Sequence, residues 1–365
     1  VWFVCDVGIV LFCFCLPLHS FYLGFATVWT ANPISDTEKE YAVKVVDRNI
    51  VREKDCNSVF REVKILNELK DLPNVITIID FMVEPQYLYV VQSYACGGDL
   101  FHRLTKRKQY TEKDARDIVV VLFQTLDDMH TKYQITHRDL KPENLLLEDL
   151  IIEKVYLADF GFARKLTNEG LKTRCGTPAF VAPEIVLGRV YNQSVDMWST
   201  GVILFMMLGG YNPFSEGTGD LRTLFRKVRA GDFTFHQSQW KNVSPEAKCL
   251  ISRLLTVDPN YRHTAGQALK SGWVQKIDAK ALLSNNLSDS LTVLKSFDGR
   301  LTLKVRNIIL LLFLLIVKNR TSILAPPCVV LRCVRYGITS SLNIKHCNLY
   351  YLLPFFIGHF VSRGQ

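Results

Sequence analysis

Apolar residues in the stretch YAVKVVDR, Tyr41 to Arg48, recur with the period of a strand. Ala42, Lys44 and Val46 therefore share one face, and Val43 and Val45 the other. The run LYVVQSY, Leu88 to Tyr94, is apolar on both faces and reads as a buried strand. Between the two, Val59, Val63, Leu66 and Leu69 mark an amphipathic helix that carries Glu62 beside its apolar stripe. Beyond Gly97 and Gly98 the period changes. Thr111 with Asp114 makes a capping-box start, followed by Ile118, Leu122, Phe123, Leu126 and Met129 at core spacing. Val195 to Leu208 is apolar nearly all round, which predicts a buried central helix. Ser244 and Pro245 open another helix, with Leu250, Ile251, Leu254 and Leu255 facing inward. The pattern predicts an α+β protein, a small sheet-rich lobe followed by a larger helical one.

With 365 residues and 48% hydrophobic composition, the chain can bury a substantial core, and disorder throughout is excluded. Its ends depart from this texture. The first 18 residues or so are apolar and nearly uncharged, broken by Asp6 and Pro17 and without a basic flank. From Val305 to Gln365 there is no acid, while Arg306, Lys318, Arg320, Arg332, Arg335, Lys345 and Arg363 are basic. Removing those seven from the net charge of +9 leaves about +2 for the rest, which is not the footprint of a nucleic-acid binder. Both apolar ends fall short of the roughly 20 residues a membrane span needs. Translated non-coding sequence at the edges of the gene is preferred to a membrane anchor, because composition shifts abruptly where the domain stops. Cys56, Cys96, Cys175 and Cys249 are widely spaced, without zinc-ligand pairing, so free thiols in a reducing, cytoplasmic setting are expected.

The chemistry lies in three short runs: HRDLKPEN from His137 to Asn144, Asp159-Phe160-Gly161, and Ala182-Pro183-Glu184. A lone Asp or Asn is most often a turn residue, but that does not explain three loops in this order. Together with Lys44 in YAVK and Glu62, they resemble the catalytic loop, metal loop and activation-segment end of eukaryotic protein kinases over about Phe25 to Val274. The resemblance implies a two-lobed kinase fold that uses ATP and Mg²⁺. Its expected division is 1–20 apolar and discordant, 21–92 the N-lobe, 93–96 a hinge, 97–274 the C-lobe, 275–304 an autoinhibitory or regulatory segment, and 305–365 the acid-free tail.

Phosphoryl transfer has a loose transition state, so such a protein must place a hydroxyl in line and neutralise charge on phosphate oxygens. The resemblance implies that Asp139 accepts or orients the substrate hydroxyl proton, that Lys141 reaches the transferring phosphate, and that Thr177 bonds near both. Asn144 and Asp159 are the implied oxygen ligands of Mg²⁺. Lys44, oriented by Glu62, is implied at the α- and β-phosphates. Adenine is expected between Ala42 and Leu146, with Val28 above it, backbone groups of Ser93 and Ala95 on its edge, Gln92 as gatekeeper and Asp99 at the ribose. Packing in the core is the competing role for Ala42 and Leu146. One departure stands out. Aligning Phe25-Ala26-Thr27-Val28 with the end of the family's G-x-G-x-x-G-x-V leaves Gly24 off the pattern and puts Phe21, Leu23 and Ala26 at glycine positions. Bulky groups there would keep backbone N–H groups from phosphates, so a pseudokinase or kinase-fold binding module is the competing reading.

Lys141 within HRDLKPEN and Gly176-Thr177-Pro178 resemble serine/threonine rather than tyrosine kinases. GTPAFVAPE, DMWSTGVILFMMLGGYNPF and VDPNYRHTAGQALKSGWV look most like the calcium/calmodulin-dependent and calcium-dependent group. Asp99 and Glu143 then imply protein substrates with a basic residue upstream of the target Ser or Thr. Arg138 before the catalytic Asp, with Thr173 in the activation segment, implies a phosphorylation switch set by an upstream kinase. Glu184 and Arg262 resemble a buried ion pair anchoring that segment. Leu294 to Lys304, with Lys295, Arg300 and Lys304 beside Leu294, Phe297 and Leu301, resembles the start of a calmodulin-binding segment, with a solvated trailing helix as the alternative. No EF-hand loop pattern occurs, so calcium sensing would need a partner such as calmodulin or an extension beyond this sequence.

Overall fold

A computed structural model describes residues 26–33, 38–107, 110–148, 154–215, 220–275, 282–283, 285 and 287–295. The chain divides into two compact units, Val1–Leu301 and Thr302–Gln365, and all described residues belong to the first. The apolar ends and the segment aligned with the glycine loop up to Phe25 lie outside the described residues, as does the basic segment beyond Lys295. Among the described residues no helix is long and apolar enough to cross a membrane.

The first lobe is an antiparallel sheet in the order β1-β2-β4-β3, built from β1 (Ala26–Ala31), β2 (Tyr41–Asp47), β3 (Ile78–Val83) and β4 (Tyr87–Ser93). Helix α1 (Glu53–Glu68) joins β2 to β3. The two faces of β2 separate as the period of two requires. Val43 packs with Ala31, Tyr41, Tyr89 and Val91 on one side, and Val46 packs with Val59 of α1, Leu88 and Val90 on the other. Leu66 and Leu69, further along the α1 stripe, enter the main core instead. That core continues into the second lobe, so the helix carrying Glu62 is packed from both sides.

The second lobe begins with β5 (Gly98–Asp99), α2 (Leu100–Lys106) and α3 (Glu112–Thr131). Thr111 caps α3 as expected: the Asp114 N–H donates to Thr111 Oγ1 and the Thr111 N–H to Asp114 Oδ2 at 2.8 Å. Short strands follow, β6 (Ile135–Thr136), β7 (Leu145–Leu147), β8 (Val155–Leu157) and β9 (Arg164–Lys165), paired as β5-β7-β8 and β6-β9. The rest is helical, with α4 (Pro183–Leu187), α5 (Ser194–Gly209), α6 (Leu221–Ala230), α7 (Gln237–Trp240), α8 (Pro245–Leu254), α9 (Ala265–Leu269) and α10 (Gly272–Gln275). Every residue of α5 from Val195 to Gly209 is buried, as its all-round apolar character demands. Gly201 lets α8 come close, since a Cβ there would stand 2.8 Å from Leu254 Cβ.

A buried carboxylate gathers distant parts of this lobe. Glu112, fully buried in the first turn of α3, accepts from Trp273 Nε1 at 2.7 Å, from the Ser244 N–H at 3.0 Å and hydroxyl, and from Asn285 Nδ2 at 2.8 Å. Residues 288–295 are helical and pack against the same lobe. Leu287, Leu291 and Leu294 are buried there, Ser290 Oγ donates to the Leu208 carbonyl, and the Leu287 N–H donates to the Tyr110 carbonyl. Leu294, expected on the apolar face of a basic segment, is thus already covered by the lobe.

Candidate active site

Asp196 is the one acid inside the apolar helix α5, and it is fully buried. A buried carboxylate has to be bonded. It accepts from the backbone N–H of His137 and of Arg138, each at 2.8 Å, and from His130 Nε2 at 2.9 Å. Burial alone would raise its carboxyl, but the bond and charge of His130, the His137 ring and the Arg138 N–H outweigh this and pull it below the usual carboxylate range. These bonds clamp the loop after β6 while Arg138 holds a left-handed backbone, φ 72°. The His137 ring is fixed as well: Nδ1 accepts the Asp139 N–H, so Nε2 carries the proton and donates to the Ala158 carbonyl at 3.0 Å.

Asp139, next in the chain, is buried, and each of its carboxylate oxygens has defined company. Oδ1 accepts the Thr177 N–H at 2.8 Å and the Thr177 hydroxyl at 2.7 Å; Oδ2 lies 3.2 Å from Lys141 Nζ. Lys141 Nζ also lies 3.4 Å from Thr177 Oγ1. Asn144 Nδ2 donates to the Asp139 carbonyl at 2.8 Å, which ties the two ends of the loop together. Gly176 allows Thr177 this approach. Its φ is 101°, and a Cβ there would stand 2.7 Å from the Arg138 carbonyl oxygen.

Across from this loop, Lys44 on β2 donates to both oxygens of Glu62 on α1, at 3.1 and 2.9 Å, and lies 3.5 Å from Asp159 Oδ1. Burial would strip the Lys44 proton, but the carboxylates of Glu62 and Asp159 outweigh it and hold the ammonium above the ordinary lysine range. Burial likewise opposes ionisation of Asp159, yet the ammonium of Lys44 above all, with that of Lys141, pulls its carboxyl down. Residues from the sheet, from α1 and from two loops of the helical lobe thereby meet in one place.

The residues expected around adenine are aligned by strand register. Ala42 pairs with Gln92, Val28 with Lys44, and Asp99 with Leu146. Leu146 is half-buried and Ala95 buried. Gln92 Nε2 is buried without a hydrogen-bond partner. The Ser93 N–H donates to the Thr77 carbonyl at 2.9 Å, so it is not available to a base edge. Asp99 caps α2 by accepting the His102 N–H on Oδ1. Near it, Glu143 Oε2 is buried and unpartnered. Burial pushes the Glu143 carboxyl up, and the like charges of Asp99 and Asp139 add to this against Lys141 and its own N–H.

The activation segment is held from below. Arg138 Nη1 donates to Tyr191 Oη at 2.8 Å and its Nε to the Phe162 carbonyl at 2.7 Å, while Tyr191 Oη donates to the Thr173 carbonyl at 2.6 Å. The Thr173 side chain is exposed. Arg164 is pulled down to about 10 by burial and by the neighbouring guanidiniums of Arg138 and Arg61. Glu184 and Arg262 form a bidentate pair at 2.7 and 3.0 Å.

The motif residues predicted from the sequence therefore come together. Reading the sequence missed His130, Asp196 and Tyr191. Asp196 had left a signal, an acid within an otherwise apolar helix; His130 and Tyr191 had left none.

A bilobal fold with this cleft is that of a phosphotransferase, and residues 24–274 match the family model described as the protein kinase domain. The chain belongs to the protein kinase family. It is 34% identical over 273 residues to calcium/calmodulin-dependent protein kinase type 1 of Macrobrachium nipponense, covering 74% of this chain and 76% of that protein. It is 35% identical over 255 residues to the protein of the same name in Caenorhabditis elegans, covering 69% and 71%. With the human serine/threonine-protein kinase DCLK3 it shares 38% identity over 242 residues, 66% of this chain but only 37% of that protein. Against several such longer relatives the match spans about a third of their length. The chain is a serine/threonine protein kinase.

Proposed function

We propose that this kinase acts on protein Ser and Thr hydroxyls near basic residues, with Mg-ATP as donor, and that it is of the calcium/calmodulin-dependent type. The observation that carries the reading is the 3.5 Å approach of Lys44 Nζ to Asp159 Oδ1, which brings the ammonium of one lobe against the metal-loop carboxylate of the other. The donor set fits a hard cation. Asn144 spends its amide Nδ2 on the Asp139 carbonyl, which leaves its Oδ1 as a donor beside the ionised Asp159 for an ion whose other ligands would be phosphate oxygens.

Mg-ATP, when bound, supplies the transferable phosphoryl group and the divalent charge. Lys44, held by Glu62, orients the phosphates, and Asp159 with Asn144 offers metal-binding oxygens. Asp139 takes or directs the proton of the substrate hydroxyl. Thr177 fixes one of its oxygens, and Lys141 stands beside the other to meet charge on the moving phosphoryl. Val28, Ala42 and Leu146 would enclose the base, with backbone groups of Ser93 and Ala95 on its edge, the Ser93 carbonyl rather than its bonded N–H, and Asp99 near the ribose.

Substrate choice is supported by the buried, unpartnered Glu143 oxygen beside Asp99, an acidic pair that a substrate guanidinium would satisfy. Regulation is supported by Arg138, which is linked to the Thr173 carbonyl through Tyr191 Oη and has Arg164 beside it, so that a phosphate placed on the exposed Thr173 by an upstream kinase would find a cation. A calcium sensor such as calmodulin is the proposed partner of the segment after the lobe, and the cytoplasm the proposed compartment.

The test is phosphorylation of an Arg-x-x-Ser peptide by the full chain with Mg-ATP. Asp139→Asn should lower kcat by about a hundredfold or more. Equal activity in the two proteins overturns the mechanism. An absence of activity together with an absence of any Mg-ATP-dependent thermal shift favours the binding-module reading.

A further inference from the structure

Tyr191 occupies a position that the catalytic reading leaves unexplained. Its side chain is buried, and its hydroxyl accepts from Arg138 Nη1 at 2.8 Å, donates to the Thr173 carbonyl at 2.6 Å and lies 3.9 Å from Cys175 Sγ. Its backbone adds two more, since the Tyr191 N–H donates to the Leu171 carbonyl and its carbonyl accepts the Leu171 N–H, each at 2.9 Å. Gly170 sits against this strip so closely that a Cβ would stand 2.4 Å from Val190 Cγ1. One residue thus ties down the activation segment from 171 to 173. The same hydroxyl grips the arginine whose backbone Asp196 clamps and whose neighbour is Asp139.

We infer that Tyr191 is a positioning residue that keeps Arg138 and the activation segment engaged when Thr173 carries no phosphate. Arg138 has a partner already, one that is neutral and belongs to the protein's own scaffold. Burial pushes the Tyr191 phenol up to about 12, so at neutral pH it keeps the proton it donates to Thr173. A hydroxyl holds a guanidinium less strongly than a phosphate does. The arrangement therefore gives a basal ordered state that a phosphate on Thr173 would strengthen by taking over Arg138. This last part rests on the proposed Thr173 switch; the basal role of Tyr191 does not.

The experiment compares full-length wild type, Thr173→Ala, Tyr191→Phe and the double variant on the Arg-x-x-Ser peptide. Wild type and Tyr191→Phe are also prepared with phosphothreonine incorporated at position 173. Phe keeps the ring and removes only the hydroxyl. Loss of a bond to a charged group predicts a fall in kcat of about tenfold for Thr173→Ala/Tyr191→Phe relative to Thr173→Ala, with KM for ATP changed less than about twofold. With phosphothreonine present, Tyr191→Phe should return to within about twofold of its phosphorylated parent, a rescue that a purely structural role would not give. Equal kcat in Thr173→Ala and the double variant overturns the inference, and so does a loss that phosphothreonine leaves unrepaired while it activates the wild type. If phosphothreonine does not activate the wild type, the Thr173 switch fails, and the drop in the Thr173→Ala background still decides the role of Tyr191.

Discussion

Two buried ion pairs in this molecule look alike in their burial and differ in what surrounds them. Arg262 is closed on every side. Its Nη1 and Nη2 donate to the two oxygens of Glu184, its Nε donates to the Thr256 carbonyl, further bonds reach the carbonyls of Ser194 and Val257, and its guanidinium lies 5.2 Å from the Trp198 ring. Among the described residues the polar partners of Lys44 are carboxylates alone, Glu62 at bonding distance and Asp159 further off at 3.5 Å. A pair whose donors are all used can only hold the fold together. An ammonium held mainly by one carboxylate, with a second carboxylate at arm's length, has capacity for a substrate anion and metal. The contrast separates a scaffold pair from a working pair without appeal to motif.

The largest effect should come from the closed pair. Arg262→Met strands the Glu184 carboxylate and leaves three carbonyls without their donor, so a loss of about 3–5 kcal/mol is expected in urea unfolding. The open pair should respond in the opposite proportion. Lys44→Met is expected to cost less than half as much stability, because Glu62 can take up a proton, yet to lower kcat by about 10²–10³. Similar stability losses in the two variants, with activity following stability, would erase the distinction. The smallest effect concerns an acid with one buried oxygen left unpartnered, Glu143. The Glu143 carboxyl is raised, so it takes up a proton at a higher pH than an ordinary glutamate, and only its ionised form attracts a guanidinium. The preference for an Arg-x-x-Ser peptide over the same peptide with Ala for Arg should weaken as pH falls through that range. In Glu143→Gln the preference should be about fivefold smaller and independent of pH. A raised carboxyl weakens folding at neutral pH and regains stability on acidification, so the variant should be no less stable than wild type at pH 7. A preference that keeps its pH dependence in Glu143→Gln assigns the selectivity elsewhere.

What could be read from the sequence was what short-range periodicity encodes. The two faces of β2, the capped start of α3 and the all-buried α5 follow from neighbours along the chain, and the structure shows each of them. Asp139, Lys141 and Asn144 were legible because one loop carries all three. What sequence did not disclose depends on the meeting of segments far apart. Asp196 and His137 lie 59 positions apart, Tyr191 and Arg138 53, and nothing local indicates that they touch. Asp99 illustrates a different limit: the same side chain that suits a ribose also suits an N-cap, and the helix takes one of its oxygens.

The Glu112 junction sets how much chain the helical lobe needs. The family match ends at residue 274, but one donor to that carboxylate arrives on Asn285, and Leu287, Leu291 and Leu294 close the surface beyond it. A fragment trimmed to the family boundary would lose the three leucines that cover this surface of the lobe and remove a bond from a buried charge. The piece of this enzyme that keeps the lobe covered therefore extends about twenty residues past the end of the family match.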